Sequence, residues 1–253
     1  MYFAIPPYED DEHVFSWEVL EAAPALVRVH ISSNRESLLG GAALQSIAAA
    51  LRHGALRNLL ELVMFGCVVD DGDVRDVLEA LEESGCAEQM TLLKFSDCGV
   101  SLGGVRALAA HLGKDAFPAL KELNLNENHR ITDVGVEVLA EALLQTAQTF
   151  LTYLSLSEVG MCDAGIAALV PLVQQGRMGR LEHLDICGNG GISDHGIISF
   201  AESINTKGLP MLSYFYMGEL GKLTSVGIGA TAHAVINRCP LLKRFHLLGS
   251  GAR

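Results

Sequence analysis

Residues 120–144 read LKELNLNENHRITDVGVEVLAEALL. Leu120, Leu123 and Leu125 open the stretch, Asn128 follows three residues later, Asp133 and Gly135 come next, and Val134, Val138, Leu139, Ala142 and Leu143 then take helical spacing. The Leu-x-Leu pair has period two, so its members point to one face of a short strand. Asp133 reads as the start of a helix, its oxygen placed to accept from free amides of the first turn. The stretch is therefore strand, turn, helix.

Sliding this pattern along the chain finds it again and again. Its three apolar positions recur as Leu26, Val29, Ile31, then as Leu59, Leu62, Met64 and as Met90, Leu93, Phe95. Towards the C-terminus they recur as Leu151, Leu154, Leu156, as Leu181, Leu184, Ile186, as Leu212, Phe215, Met217 and as Leu242, Phe245, Leu247. The middle positions are separated by 33, 31, 30, 31, 30, 31 and 30 residues. Asn34, Cys67, Cys98, Asn128 and Asn189 share the turn position, where stacked amides and thiols can serve buried backbone groups; Val159 and Leu220 interrupt that ladder. Asp71, Asp133, Asp163, Asp194 and Ser225 share the helix-start position, and Gly41, Gly104, Gly135, Gly165, Gly196 or Gly227 follows two residues later, with Asp73 the exception. Pro171 is expected to kink or shorten one helix.

A strand always followed by a helix cannot bury both elements alone, so the units must stack. The units resemble the leucine-rich repeat, Leu-x-x-Leu-x-Leu-x-x-Asn/Cys-x-Leu, and their length of about 30 residues with the ITDxGxxxLAEAL run is similar to the ribonuclease-inhibitor-like class. The resemblance covers residues 24–253, with an extra residue in the turns Asn128–Ile131 and Asn189–Ile192 and with Ser37 where an aliphatic residue is expected. It implies an α/β leucine-rich repeat horseshoe solenoid, with a parallel sheet on the concave face, helices on the convex face and about seven repeats plus a terminal strand. It also implies protein binding and names no partner.

Residues 1–23 fall outside the repeat. With Phe15, Trp17, Val19 and Leu20 they read as a cap over the first unit, and the acidic run Glu9–Glu12 as solvated surface. At the other end the last strand leaves an open sheet edge, which Lys243 and Arg244 protect from pairing or which a partner covers; the oligomeric state stays open.

Hydrophobic residues make up 49% and charged residues 19%, a balance that supports a folded core rather than a disordered chain. The net charge of −12 argues against nucleic acid and anionic membrane surfaces as partners. From Leu220 onward there is no Asp or Glu and five Lys or Arg, leaving −17 on the first 219 residues. No apolar run is long enough to span a bilayer, the start lacks the order of a signal peptide, and the six cysteines are too widely spaced for a zinc or disulfide framework. The expectation is an intracellular, cytoplasmic protein in a reducing environment.

Strand alternation also assigns the residues on the hollow face. They form three columns: Arg28, Glu61, Leu92, Glu122, Tyr153, His183, Tyr214, Arg244; then His30, Val63, Lys94, Asn124, Ser155, Asp185, Tyr216, His246; then Ser32, Phe65, Ser96, Asn126, Ser157, Cys187, Gly218, Leu248. Tyr153, His183, Asp185, Tyr214, Tyr216, Arg244 and His246 converge in the C-terminal half, where tyrosine and arginine supply the large, polar-tipped surfaces that dominate binding. They are the expected partner-binding residues; the plain alternative is that tyrosine and histidine suit exposed strand positions. Val63, Phe65 and Leu92 form a weaker apolar patch that the N-terminal flank can cover.

Catalytic chemistry is not expected. Cys187 and His183 lie four residues apart on one strand, about 13 Å, too far for a nucleophile and its base. His183, Asp185 and His246 are too dispersed for a metal, and Gly227–Ala232 matches a dinucleotide fingerprint only weakly. No cofactor follows. The reading is a non-enzymatic recognition module or scaffold. One alternative is a GTPase-activating protein of the Ran type using a turn arginine, Arg35 or Arg130, and another is a purely structural spacer.

Overall fold

A computed structural model describes residues 2–5, 25–33, 39–147 and 150–247. The strands are β1 (Tyr2–Ile5), β2 (Arg28–Ser32), β3 (Glu61–Phe65), β4 (Leu92–Ser96), β5 (Glu122–Asn124), β6 (Tyr153–Ser155), β7 (His183–Asp185), β8 (Tyr214–Tyr216) and β9 (Arg244–His246). Between them run α1 (Leu39–Arg52), α2 (Asp71–Glu83), α3 (Leu102–Leu112), α4 (Thr132–Gln145), α5 (Asp163–Gln174), α6 (Asp194–Lys207) and α7 (Ser225–Arg238). All nine strands form one sheet in chain order, each parallel to the next. Each helix packs against the helix of the following unit. Strands pair at about 4.8 Å and helices pack at 8–10 Å, so the stack curves into a horseshoe with the sheet inside.

The core lies between the two layers. Val29, Leu62, Leu93, Leu123, Leu154, Leu184 and Phe215, the middle inward positions of successive strands, are all buried. Phe245 and Leu242 of the last unit are only partly buried, because no further unit closes over them among the described residues. Pro171 sits in the last turn of α5, which has 12 residues where α4, α6 and α7 have 14.

Within the flank that precedes the repeat, YFAI at residues 2–5 forms β1 and pairs with β2 from Tyr2↔Arg28 to Ile5↔Ile31, covering an edge that would otherwise expose its backbone. Phe15, Trp17, Val19, Leu20 and the Glu9–Glu12 run lie outside the described residues, as do Asn34, Arg35, Ser37 and Leu248.

One sequence expectation needs correction, that for the helix-start aspartates. They do not cap their own helices. Where a side chain caps a helix it is the residue just before it: Asp70 at α2, Ser101 at α3, Ser193 at α6 and Thr224 at α7, accepting from the Asp73, Gly103, His195 and Val226 amides, while α4 and α5 have no such cap. The aspartates reach one unit onward instead. Asp71 accepts from the Ser101 amide (3.1 Å) and hydroxyl (2.5 Å), and Asp163 does the same at Ser193 (2.7 and 2.6 Å). Asp133 accepts from the amides of Cys162 and Gly165, and Asp194 from Thr224 and Gly227. The following glycine is the space this needs: a Cβ on Gly165, Gly196 or Gly227 would lie within 2.6 Å of an aspartate oxygen from the preceding unit.

The turn ladder also runs across units. Asn189 accepts from the amides of Val159 and Met161 and donates to the carbonyls of Leu156, Ile186 and Cys187. Asn128 repeats this with Cys98, Val100, Phe95, Leu125 and Asn126. Val159 has no side-chain amide to offer the Asn128 turn, so the side-chain ladder is interrupted there, although its backbone carbonyl accepts from the Thr132 amide and its own turn is closed by the asparagine of the next unit.

Candidate functional site

Strand register reproduces the hollow-face columns. Arg28, Glu61, Leu92, Glu122, Tyr153, His183, Tyr214 and Arg244 are successive partners, and His30 to His246 form the adjacent column in the same way. The sequence therefore placed these side chains correctly, but it could not say which of them touch.

In the C-terminal half the rings stack along the sheet. His183 is the centre: Tyr153 lies 4.3 Å away by ring centroid, Tyr216 5.0 Å and Tyr214 5.6 Å, each within 28° of parallel. His246 meets Tyr216 at 5.6 Å with its ring tilted. All five rings are half-buried. Burial lowers the His183 pKa against the opposing pull of Asp185, so the ring is neutral at pH 7. Burial raises Tyr153, with Asp185 and Glu122 adding to the shift, so its phenol stays protonated.

Asp185 and Arg244 do different work. Asp185 accepts from the Cys187 amide at 3.0 Å, an Asx turn that ends its strand, as Asn124 does with the Asn126 amide at 3.1 Å. Arg244 is exposed at the end of its column, while its neighbour Lys243 sets its ammonium 5.9 Å from the Tyr214 ring centroid. Among the described residues, two side-chain polar atoms are buried without a hydrogen-bond partner, the Ser155 hydroxyl and His246 Nδ1.

The N-terminal half holds a hollow of about 320 Å³ that the sequence reading missed as a unit. Val63 and Leu92 line it, with Arg28 and His30 on the β2 side, Glu122, Asn124 and Tyr153 on the β5 and β6 side, and Lys94 beside Leu92 on β4 between them. Phe65, grouped by sequence with Val63 and Leu92, stands apart, 42% exposed with the Lys94 ammonium 5.6 Å from its ring. Arg28 and Glu61 form an ion pair across β2 and β3. Burial lowers the His30 pKa, with Lys94 and Arg28 adding to the effect. The signal for this hollow was present in the columns, as charged residues facing an apolar pair.

Other chemistry finds little support in the geometry. Burial and Asp185 push the Cys187 thiol up to about 12, and it accepts from the Gly218 amide. Among the described residues no group of three His, Cys, Asp or Glu could hold a metal ion. Gly227 and Gly229 lie inside α7 and not on a phosphate-facing loop. Arg130 is an exposed turn residue; burial works to raise the Asp71 pKa, and hydrogen bonds from Ser101 and Gly104, with the Arg130 charge adding to them, hold it below the usual carboxylate value. No helix of the described residues is long and apolar enough to cross a membrane.

Residues 118–140 match the family model described as Leucine Rich repeat. The repeat region is of the leucine-rich-repeat type. Human NACHT, LRR and PYD domains-containing protein 14 is 29% identical over 150 residues, 58% of this chain and 13% of that protein. The bovine NACHT, LRR and PYD domains-containing protein 5 is 28% identical over 185 residues, 73% of this chain and 14% of the relative. The chain thus matches only about a seventh of the length of these relatives. Among solved structures, a yeast Rad7 and Elc1 complex contains a chain that overlaps 90% of this one and 71% of its own length, at 13% identity and a TM-score of 0.43. Repeat scaffolds of this kind generally serve protein–protein interaction through an extended concave surface.

Proposed function

We propose that the protein is a non-enzymatic recognition module that binds a protein partner on the concave sheet, through Tyr153, His183, Tyr214 and Tyr216 with Asp185, Arg244 and His246 around them. The observation that carries this reading is the ring stack centred on His183. Rings that already hold one another in place lose little rotamer freedom on binding, and aromatic side chains supply much of the energy of protein interfaces. The unit length of about 30 residues, with a full helix in each, supports the ribonuclease-inhibitor-like class. Six free cysteines suit a reducing, cytoplasmic setting.

The test is affinity capture with the wild type and a Tyr214→Ala/Tyr216→Ala double variant, both checked for fold by circular dichroism. Partners retained by the wild type and lost by the variant are the expected result. An identical retained set would place the contact surface elsewhere on the molecule.

A further inference from the structure

The hollow beside the aromatic row has its own chemistry. At about 320 Å³ it lies at the small end of ligand sites. Of its charges, Arg28 is paired with Glu61, and Lys94 leans over the Phe65 ring in the third column. Glu122 differs: its carboxylate makes no hydrogen bond or ion pair among the described residues. Burial raises its pKa, the like charge of Glu61 adds to this, and Arg28 relieves it only in part. Glu122 is also the register partner of Tyr153 on the side opposite His183. His183 covers one face of the Tyr153 ring, so the other borders the hollow.

We propose that this hollow receives a lysine or arginine side chain from a basic segment of the protein partner, its methylenes over Val63 and Leu92 and its charge beside Glu122 and the Tyr153 ring. An aliphatic floor with a carboxylate and a ring face at its margin matches a long cationic side chain, since the stem buries apolar area while the head meets charge and π density. The charge of −17 on the first 219 residues, where the hollow lies, draws the same class of partner. The proposal rests on the concave-face reading above and adds the chemistry of the occupant.

The test uses fluorescein-labelled hexa-arginine and hexa-glutamate peptides, with binding to the full chain followed by fluorescence anisotropy at 150 mM salt. Glu122→Gln is compared with Glu202→Gln, which removes the same charge from an exposed site on the convex helix α6. Hexa-arginine should bind, with Glu122→Gln weakening it on the order of fivefold and Glu202→Gln barely doing so. Tyr153→Ala should weaken it too; if that variant fails to fold, the carboxylate pair decides alone. Equal weakening by both glutamine variants would reduce the effect to net charge and overturn the proposal. Preference for hexa-glutamate, abolished by Lys94→Ala, would overturn it in favour of an acidic occupant. Partner capture lost in the tyrosine double variant without a specific hexa-arginine effect would sink the cation site and leave the concave-face reading standing. Specific hexa-arginine binding with unchanged capture would do the reverse.

Discussion

At Gly196 a methyl group would lie 2.5 Å from Asp163 Oδ1, the atom that accepts from the Ser193 amide. Alanine normally stabilises a helix interior over glycine, by about 1 kcal/mol. Here it must displace a charge-assisted cap from the neighbouring unit, and such hydrogen bonds contribute about 1.5–3 kcal/mol each. Gly196→Ala should therefore destabilise the protein by about 2 kcal/mol in urea unfolding, whereas Gly229→Ala, where nothing lies within 4 Å of the new carbon, should gain about 0.5–1 kcal/mol. Equal effects would remove the role assigned to Asp163. Ser155→Ala makes a second contrast, since it deletes a buried hydroxyl without a partner and should leave stability unchanged or slightly higher. The glycines and aspartates were legible in sequence as a pattern. Their partnership was not, because a cap that reaches the next unit is invisible to rules written for a single helix.

At the scale of the elements, the Asn rungs and the Asp caps join one unit to the next. Asn189→Ala strands the buried amides of Val159 and Met161 and three carbonyls, at a cost of about 3 kcal/mol measured by chemical unfolding. The caps add a pH dependence. Hydrogen bonds from Thr224 lower the Asp194 pKa; at Asp71 and Asp163 burial works upward and the bonds from Ser101 and Ser193 outweigh it. A carboxyl depressed in the folded state contributes stability above its unfolded value of about 3.9, and loses it as pH falls through the folded value. Unfolding free energy should fall as pH drops below about 4. An Asp71→Asn/Asp163→Asn variant should show a shallower slope there, and an unchanged slope would contradict the cap assignment. The strands themselves were legible almost residue by residue, since the apolar period of two fixes which side chains face the core. The strand at Tyr2–Ile5 was not, because it stands outside the thirty-residue frame that revealed the others.

Across the whole molecule, each unit is held mainly by its two neighbours, and among the described residues only one neighbour packs against the unit of β9. Phe245 and Leu242 are partly buried where their counterparts in earlier units are sealed. Amide hydrogen exchange should be slowest from β3 to β7 and fastest in α7 and β9; uniform protection would show that the stack opens as one body. Helices α1 to α7 of the described residues run the same way, so their N-termini share one rim, and the capping aspartates gather there in accord with the helix dipoles. The concave wall carries the proposed recognition surface. Its columns followed from sequence alone, but the stacking of Tyr153, His183, Tyr214 and Tyr216 depends on ring orientations that no spacing rule encodes. Hydroxyl-radical footprinting of the chain alone and in its captured complex tests the central claim most directly. Protection of Tyr153, His183, Tyr214 and Tyr216, with Met211, Val226 and Ile236 still reactive, is the predicted outcome; protection confined to the outer residues, with the four rings as reactive as before, would contradict it.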